Sequence, residues 1–185
     1  MSILPILIFP DHLLKETSTP VEKFDDDLKK LTDDMLETMY ADRGVGLAAV
    51  QVGVLKRVVV MDTKYTIDDC DGHHDHNHGH HHDHISNKNP ICLINPEIIT
   101  ASKEKSTYHE GCLSFPEVRA DVSRPKSVKV KYFDIDGQEQ ILEADELLAT
   151  CVQHEIDHLN GINFVDHLSK LKREITLKKL KKFNY

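Results

Sequence analysis

The chain has 185 residues, of which 39% are apolar, 29% charged and 6% aromatic, so it suits one compact globular domain and is too short for two domains of ordinary size. This composition excludes a collagen, a coiled coil and a wholly disordered chain. The net charge of −8 is uneven, because the stretch from Asp166 to the end carries +5 and the remaining residues carry −13. An acidic body disfavours nonspecific nucleic-acid binding, whereas the basic stretch suits either a solvated helix or a phosphate-rich partner.

The chain opens with a short apolar run, Ile3 to Pro10, which Pro5 interrupts and which no basic leader precedes. We therefore expect neither a transmembrane helix nor a signal peptide, but buried chain in a soluble protein. The cysteines are unevenly spaced in a chain large enough to form a core without disulfides, so we expect reduced thiols and a cytoplasmic location. Two of them lie inside apolar runs and are expected in the core. The four are Cys70 and Cys112, and the two in apolar runs, Cys92 and Cys151.

The first predicted helix runs from about Val21 to Tyr40. Apolar side chains recur there at spacings of three and four, which brings them onto one helix face that packs into the core. The segment 44–51, GVGLAAVQ, follows; by itself it indicates only a turn with close backbone packing, because it lacks the glycine spacing and the Lys of a phosphate loop. The apolar helix positions are Phe24, Leu28, Leu31, Met35 and Met39.

Two β-branched runs, Leu55 to Asp62 and Ile91 to Ile99, predict buried strands. Between them, a low-complexity tract from Asp68 to His84 holds eight of the thirteen histidines. Its one apolar residue is Cys70, so it cannot offset the entropy of ordering, and we expect a surface loop at about 68–88. Its imidazoles predict either weak binding of extra Zn, Ni or Cu ions or a solvated insertion with no role.

Alternating residues from Ser127 to Ala144, with Asp136-Gly137 at the turn, predict an antiparallel hairpin. A helix capped by Asp145 is expected to follow and to run to Leu159. The basic stretch predicts a further helix at about 166–183. Together these elements predict a single α+β domain over residues 1–185, in which antiparallel strands pack around a central helix, with helices near the N-terminus and C-terminus.

The predicted central helix carries His154-Glu155-Ile156-Asp157-His158, an H-E-x-x-H pattern. Histidines four residues apart project from one helix face and can hold one metal ion, with Glu155 beside them as a base; two satisfied core histidines are the plainer alternative. A metal ion needs a third ligand. Cys112 in EGCLS suits that position, because Gly111 and Pro116 bracket a tight backbone path that presents a thiolate and a free N–H, although a lone cysteine is often just a small core residue.

The three motifs GVGLAAVQ, EGCLS and QHEIDH, in that order, closely resemble the peptide deformylase family, and the resemblance extends over nearly the whole chain. It implies an enzyme that hydrolyses the N-formyl group of an N-terminal formyl-methionine and releases formate. The ligands that it implies for one divalent ion are Cys112, His154 and His158, with a water in the fourth position. It implies Fe(II) as the ion, but imidazole and thiolate also suit Zn, Ni and Co.

The resemblance also assigns roles to the residues around the metal ion. Glu155 moves the proton of the attacking water to the departing amine, and Gly46 belongs to the same catalytic group. The Gln51 side-chain amide and the Leu113 backbone N–H stabilise charge on the formyl oxygen. A methionine side chain needs an apolar pocket, and peptide backbone needs polar contacts. The residues expected on the substrate side are Val45, Glu110, Arg119, Leu147 and Cys151.

Two alternative functions and one partner remain to be tested. A zinc endopeptidase would show H-E-x-x-H equally well, and the cysteine ligand and the small formyl group separate the two. A nickel or zinc storage module would explain the loop histidines, and metal stoichiometry after deletion of Gly72 to His84 discriminates it. For the basic stretch, charge and resemblance together suggest docking to the ribosome, which truncation after Leu168 should abolish. No membrane partner is expected.

Overall fold

Nine strands and three α-helices make up an α+β fold in the part of the chain that the computed structural model describes, residues 2–68, 84–180 and 182. The predicted fold class is therefore confirmed. The helices are α1 (Asp26–Ala41), α2 (Glu146–Leu159) and α3 (Lys170–Leu180). The strands are β1 (Gly46–Ala48), β2 (Val58–Met61), β3 (Thr66–Asp68), β4 (His84–Ser86), β5 (Ile91–Ala101), β6 (Lys105–Cys112), β7 (Phe115–Pro125), β8 (Ser127–Phe133) and β9 (Glu139–Asp145).

Five strands form one antiparallel sheet in the order β1-β2-β5-β8-β9, and helices cover both faces of it. Alternate residues of β2 point to opposite faces, so Val59 and Met61 pack with α2 while Val58 and Val60 pack with α1. All four are fully buried, which explains why the run is apolar without interruption. β6 and β7 form a separate hairpin that lies against α2, and this arrangement creates the site described below.

The predicted elements differ from the observed ones mainly at their ends. α1 begins at Asp26 and not near Val21, because the Asp25 carboxylate caps it by accepting a hydrogen bond from the N–H of Leu28 at 3.1 Å. Phe24 consequently lies outside the helix and is 38% exposed. The predicted hairpin is confirmed, since β8 and β9 pair along their whole length.

The prediction that the opening apolar run is buried is wrong. Ile3 is 63% exposed, and the rest of the run is half-buried or exposed. The run has no regular secondary structure, and in it the N–H of Leu7 donates to the carbonyl of Gln51 at 2.7 Å and the N–H of Phe9 donates to the carbonyl of Ser114 at 2.9 Å. The run therefore forms hydrogen bonds with two segments of the candidate site, those of Gln51 and Ser114.

The basic C-terminal helix begins at Lys170 and not near residue 166, because residues 164–167 form a separate 3-10 turn. α3 packs against β7 and buries Thr176 and Leu180, whereas its lysines are exposed. Its inner side extends a cluster formed by Phe115, Val118 and Phe164. Within the described ranges, every helix is too short or too polar to span a membrane.

The histidine-rich insertion is only partly within the described residues. Residues 69–83, which include Cys70 and most of the histidines, lie outside them. On either side of that gap β3 pairs with β4, in the register Thr66 to Ser86 and Asp68 to His84, so the expected loop at 68–88 is in part strand. The three described cysteines, Cys92, Cys112 and Cys151, are free of disulfides, as predicted.

Candidate active site

The side chains of Cys112, His154 and His158 meet at one point between α2 and the end of β6. Their donor atoms all lie within 4.8 Å of one another. The helix brings the two histidines onto one face with ring centroids 4.9 Å apart, and the sulfur of Cys112 lies 3.2 Å from Nε2 of His158. A thiolate with two imidazoles is a donor set that divalent transition metals prefer, and three protein ligands leave a coordination position open. These residues fit a resident metal ion.

Glu110 orients the first of the two histidines. Its Oε2 accepts a hydrogen bond from Nδ1 of His154 at 2.8 Å, which leaves Nε2 of that ring for a metal ion. Buried Arg124 holds the same carboxylate through Nε at 2.6 Å and through its terminal nitrogen at 3.1 Å. Burial is the largest influence on Glu110 and raises its pKa, but His154 and Arg124 outweigh it, so the pKa lies below its ordinary value. The substrate contact expected of Glu110 from the sequence stays a prediction, and Glu110 also lines the cleft described below.

Arg124 extends this network to a second carboxylate on α2. Its second terminal nitrogen donates to Oδ2 of Asp157 at 2.7 Å, and the same oxygen accepts from Nε2 of His167 at 2.7 Å. Arg124 has no role predicted from the sequence, because no spacing or neighbouring motif distinguishes an arginine that will be buried. An arginine is rarely buried unless paired, and here two carboxylates from different elements supply the partners.

Glu155 is buried directly beside the histidines. Burial raises the pKa of its carboxyl to about 7, with His154 opposing the shift. Among the described residues, its Oε2 is a buried oxygen with no hydrogen-bond partner. Gly46 explains how the carboxylate fits, because a Cβ there would lie 2.5 Å from Oε1 of Glu155 and 2.9 Å from the sulfur of Cys151. A carboxyl with a pKa near neutrality can both accept and donate a proton.

Hydrogen bonds orient the Gln51 amide beside the sulfur of Cys112. Its Oε1 accepts from the N–H of Ala48 at 2.8 Å, and its Nε2 donates to Oγ of Ser114 at 3.1 Å and to the sulfur of Cys112 at 3.5 Å. One amide N–H is therefore directed at the sulfur of Cys112 and the other at Ser114. Leu113 follows Cys112 directly and packs close to Gly44, where a Cβ would lie 2.8 Å from Cδ1 of Leu113.

A cleft of about 790 Å³ opens over these residues. Except for His158, which lies behind its floor, every site residue predicted from the sequence lines it. One wall is apolar: Val45 and Leu147 are 40% and 43% exposed, and buried Cys151 packs between them and the carboxylate of Glu155. Arg119 is exposed, lies beside Gly111 and also lines the cleft.

The cleft also contains residues that sequence reasoning missed. The opening run contributes Ile6 and Ile8, and its apolar, non-helical character is a signal that could have suggested a binding surface. Other lining residues come from the β6–β7 hairpin and from α2, and no motif marks them. The additional lining residues include Ile6, Ile8, Tyr108, His109, Phe115, Glu117 and Thr150.

Comparison with known proteins agrees with this geometry. The family model described as polypeptide deformylase matches residues 3–174. A peptide deformylase from Erythrobacter litoralis is 55% identical, over 98% of this chain and 97% of that protein. One from Novosphingobium aromaticivorans is 51% identical, over 98% of this chain and 97% of that protein. A crystal structure of peptide deformylase from Ehrlichia chaffeensis in complex with actinonin is 44% identical, covers 100% of this chain and 99% of that chain, and has a TM-score of 0.83.

Proposed function

The chain belongs to the polypeptide deformylase family, and we propose that its cleft hydrolyses the N-formyl group at the N-terminus of newly made formyl-methionyl polypeptides. The products are formate and a free amino terminus. The observation that carries this function is the convergence of Cys112, His154 and His158 within 4.8 Å, beside a buried carboxylate and at the floor of an open cleft.

We propose Cys112, His154 and His158 as the ligands of one divalent ion, which when bound supplies an electrophile that polarises the formyl carbonyl and activates a water. Glu155 accepts the proton of that water as the new C–O bond forms at the formyl carbon. When the C–N bond breaks, Glu155 returns the proton to the departing amine. The pKa of about 7 suits both transfers, because neither protonation state is strongly disfavoured near neutral pH.

Two neutral donors are proposed to stabilise the negative charge that develops on the formyl oxygen. They are Nε2 of Gln51 and the backbone N–H of Leu113. The hydrogen bonds of Gln51 to Ala48 and Ser114 support this role, because they orient the amide before substrate arrives. Removal of one such donor typically costs ~10²–10³ in rate.

The apolar wall is proposed as the pocket of the methionine side chain. Val45, Leu147 and Cys151 supply its surface, and all three line the cleft. Arg119, which also lines the cleft, is proposed to contact the backbone of the substrate peptide. Gly46 is proposed to act by leaving room, because any side chain there would displace Glu155.

The function is tested by formate release from formyl-Met-Ala-Ser, with acetyl-Met-Ala-Ser and an internally cleavable unformylated peptide as comparison substrates. We expect formate from the first substrate and no cleavage of the other two. Cleavage of the internal peptide bond would favour a zinc endopeptidase. Bound metal with no hydrolysis of any substrate would favour a storage module.

The resident ion is proposed to be Fe(II). Thiolate ligation makes ferrous iron easy to oxidise, and the open cleft admits oxygen. Anaerobic purification with metal analysis tests this proposal, with nickel-substituted protein as the air-stable comparison. If the zinc form is the most active and oxygen makes no difference, the resident ion is zinc.

The cytoplasm and the ribosome are the proposed location and partner. The free thiols of Cys92, Cys112 and Cys151 support a reducing compartment. The exposed lysines of α3 support contact with phosphates of ribosomal RNA. The histidine-rich tract, whose residues 69–83 lie outside the described ranges, is proposed to bind extra divalent ions. It acts either as a passive chelator or as a source of ions for the catalytic site.

A further inference from the structure

Residues 44–46 form a part of the cleft wall that is tightly constrained by its neighbours. A Cβ on Gly44 would lie 2.8 Å from Leu113, and one on Gly46 would lie 2.5 Å from Glu155. Between them, Val45 directs its side chain into the cleft and accepts a hydrogen bond from the sulfur of Cys151 on its carbonyl at 3.5 Å. A small shift of this backbone therefore moves the methionine wall relative to both proposed catalytic groups.

β-sheet pairing does not by itself hold this wall. Strand β1 begins at Gly46, so Gly44 and Val45 precede the ladder with β2. The N–H of Asp62 donates to the carbonyl of Val45 at 2.9 Å, and the hydroxyl of Tyr65 donates to the carbonyl of Gly44 at 2.9 Å. The N–H of Gly44 donates to the carbonyl of Met39 at 2.8 Å, and the Tyr65 hydroxyl adds a side-chain hydrogen bond to the Gly44 carbonyl at the end of the wall that precedes the sheet.

Tyr65 is itself held rigidly. Its ring packs edge-on against Tyr40, with centroids 5.1 Å apart, and its N–H donates to the buried carboxylate of Asp62 at 3.2 Å. The same carboxylate accepts from the Tyr40 hydroxyl at 2.7 Å and from the N–H of Asn89 at 2.7 Å. Asp62 therefore ties together the two chain segments that flank the β3–β4 insertion and connects both to the wall.

We propose that Tyr65 is a positioning residue that sets the selectivity of the cleft for the methionine side chain. It touches neither the proposed metal ligands nor the proton-transfer group, and it acts through the carbonyl of Gly44 on the position of Val45. Without its hydroxyl the wall gains freedom, and a pocket that fits methionine loses part of its preference over a smaller side chain. This inference rests on the proposed function of the cleft.

The test is Tyr65→Phe, which removes one hydroxyl and retains the ring packing. Formate release is measured on formyl-Met-Ala-Ser and formyl-Ala-Ala-Ser. Loss of one neutral hydrogen bond predicts a two- to tenfold fall, roughly, in kcat/KM for the methionine peptide, chiefly through KM, and a smaller change for the alanine peptide. Tyr40 contacts Tyr65 and not the wall, so Tyr40→Phe should lower the methionine-to-alanine ratio of kcat/KM by less than Tyr65→Phe does.

Tyr132→Phe is the matched control, because its hydroxyl in β8 has no hydrogen-bond partner among the described residues and the residue lies outside the cleft. A ratio that narrows only with Tyr65→Phe and Tyr40→Phe supports the proposal. An unchanged methionine-to-alanine ratio in Tyr65→Phe overturns it. So does an equally reduced ratio in Tyr132→Phe together with a lower Tm, because general destabilisation would then explain the effect. The affinities of the product peptides Met-Ala-Ser and Ala-Ala-Ser, measured by calorimetry, report the preference for methionine over alanine without turnover. If no formate is released, the proposed function is contradicted, while these affinities still test the role of Tyr65.

Discussion

The charged groups around the proposed metal ligands and the charged groups on helix α3 lie in opposite environments. Glu110, Arg124 and Glu155 are each at most 6% exposed, whereas Lys172, Lys178 and Lys179 lie in solvent. Charges act strongly on each other when water is excluded, and salt screens them when they are exposed. Around the ligands, therefore, replacement of a single polar atom should change catalytic activity strongly. On α3, only the total charge of the lysines should affect partner binding. Substitutions in the two regions test this contrast.

Glu155→Gln should give the largest loss, because the variant keeps the shape of the side chain but cannot transfer a proton. We expect kcat for formyl-Met-Ala-Ser to fall by ~10²–10⁴. Metal analysis should show an unchanged metal content, since Glu155 is not a proposed ligand. A variant that has lost its metal together with its activity would show that the assigned role is wrong.

Cys112→Ser should weaken metal binding, because a neutral alcohol replaces a thiolate. Changes in groups that merely support a ligand cost 10–100-fold in affinity, so loss of the ligand itself should cost more than about 100-fold. The matched control is Cys92→Ser, which changes a half-buried free cysteine outside the cleft. Equal metal affinities for the two variants would remove Cys112 from the site.

Gly46→Ala should reduce kcat by about 100-fold, because the added methyl group must displace the Glu155 carboxylate by roughly an ångström. The comparison is Gly53→Ala, where the backbone has φ of +80° but no atom lies within 4 Å of the new Cβ. That variant should lose about 1 kcal/mol of stability and retain its activity. Thermal unfolding and formate release are measured for both variants. Together they distinguish a glycine that is needed because a side chain would clash from one that is needed because its φ is positive.

Reversal of charge on α3 should leave the chemistry unchanged and abolish partner binding. The variant is Lys172→Glu, Lys178→Glu and Lys179→Glu combined, and its formate release should remain within about twofold of the wild-type value, since these charges are screened from the cleft. Ribosome cosedimentation should be lost, and residual binding should depend less steeply on salt. Truncation after Leu168 is a blunter test than it appears from the sequence, because it also removes buried Leu180.

A control for the α3 variant is charge reversal on the large sheet. Lys126→Glu, Lys129→Glu and Lys131→Glu change the net charge by the same amount on a different surface, where these lysines pair with Glu104, Glu143 and Glu97. If both triple variants lose the ribosome equally, total charge and not α3 explains the binding.

Deletion of residues 72–83 should have the smallest effect on turnover. It leaves the β3–β4 pairing and the contacts of Asp62 in place, so formate release by metal-loaded enzyme should not change. Loss of extra bound metal with an unchanged rate of metal loading would identify a passive chelator. Slower loading of apo-enzyme under limiting metal would support delivery of ions to the catalytic site.

The local pattern of the sequence determined most of the secondary structure and the placement of the two histidines. Apolar spacing predicted α1 and α2, alternation predicted the β8–β9 hairpin, and H-E-x-x-H placed two histidines on one helix face. The ends of elements were less accessible, because α1 begins where the Asp25 carboxylate caps it. The burial of the opening run was also misjudged, since an apolar segment can lie on a cleft as well as in a core.

The tertiary structure alone decided the properties that depend on atoms from distant segments. The sulfur of Cys112 reaches His158 only because the β6–β7 hairpin packs on α2. The pKa of Glu155 rises to about 7 because neighbouring elements exclude water from it. Arg124 and Tyr65 carry no motif, and their contacts became visible only in the folded chain. Periodicity encodes which face of an element is buried, whereas desolvation and close contact depend on which other segments pack there.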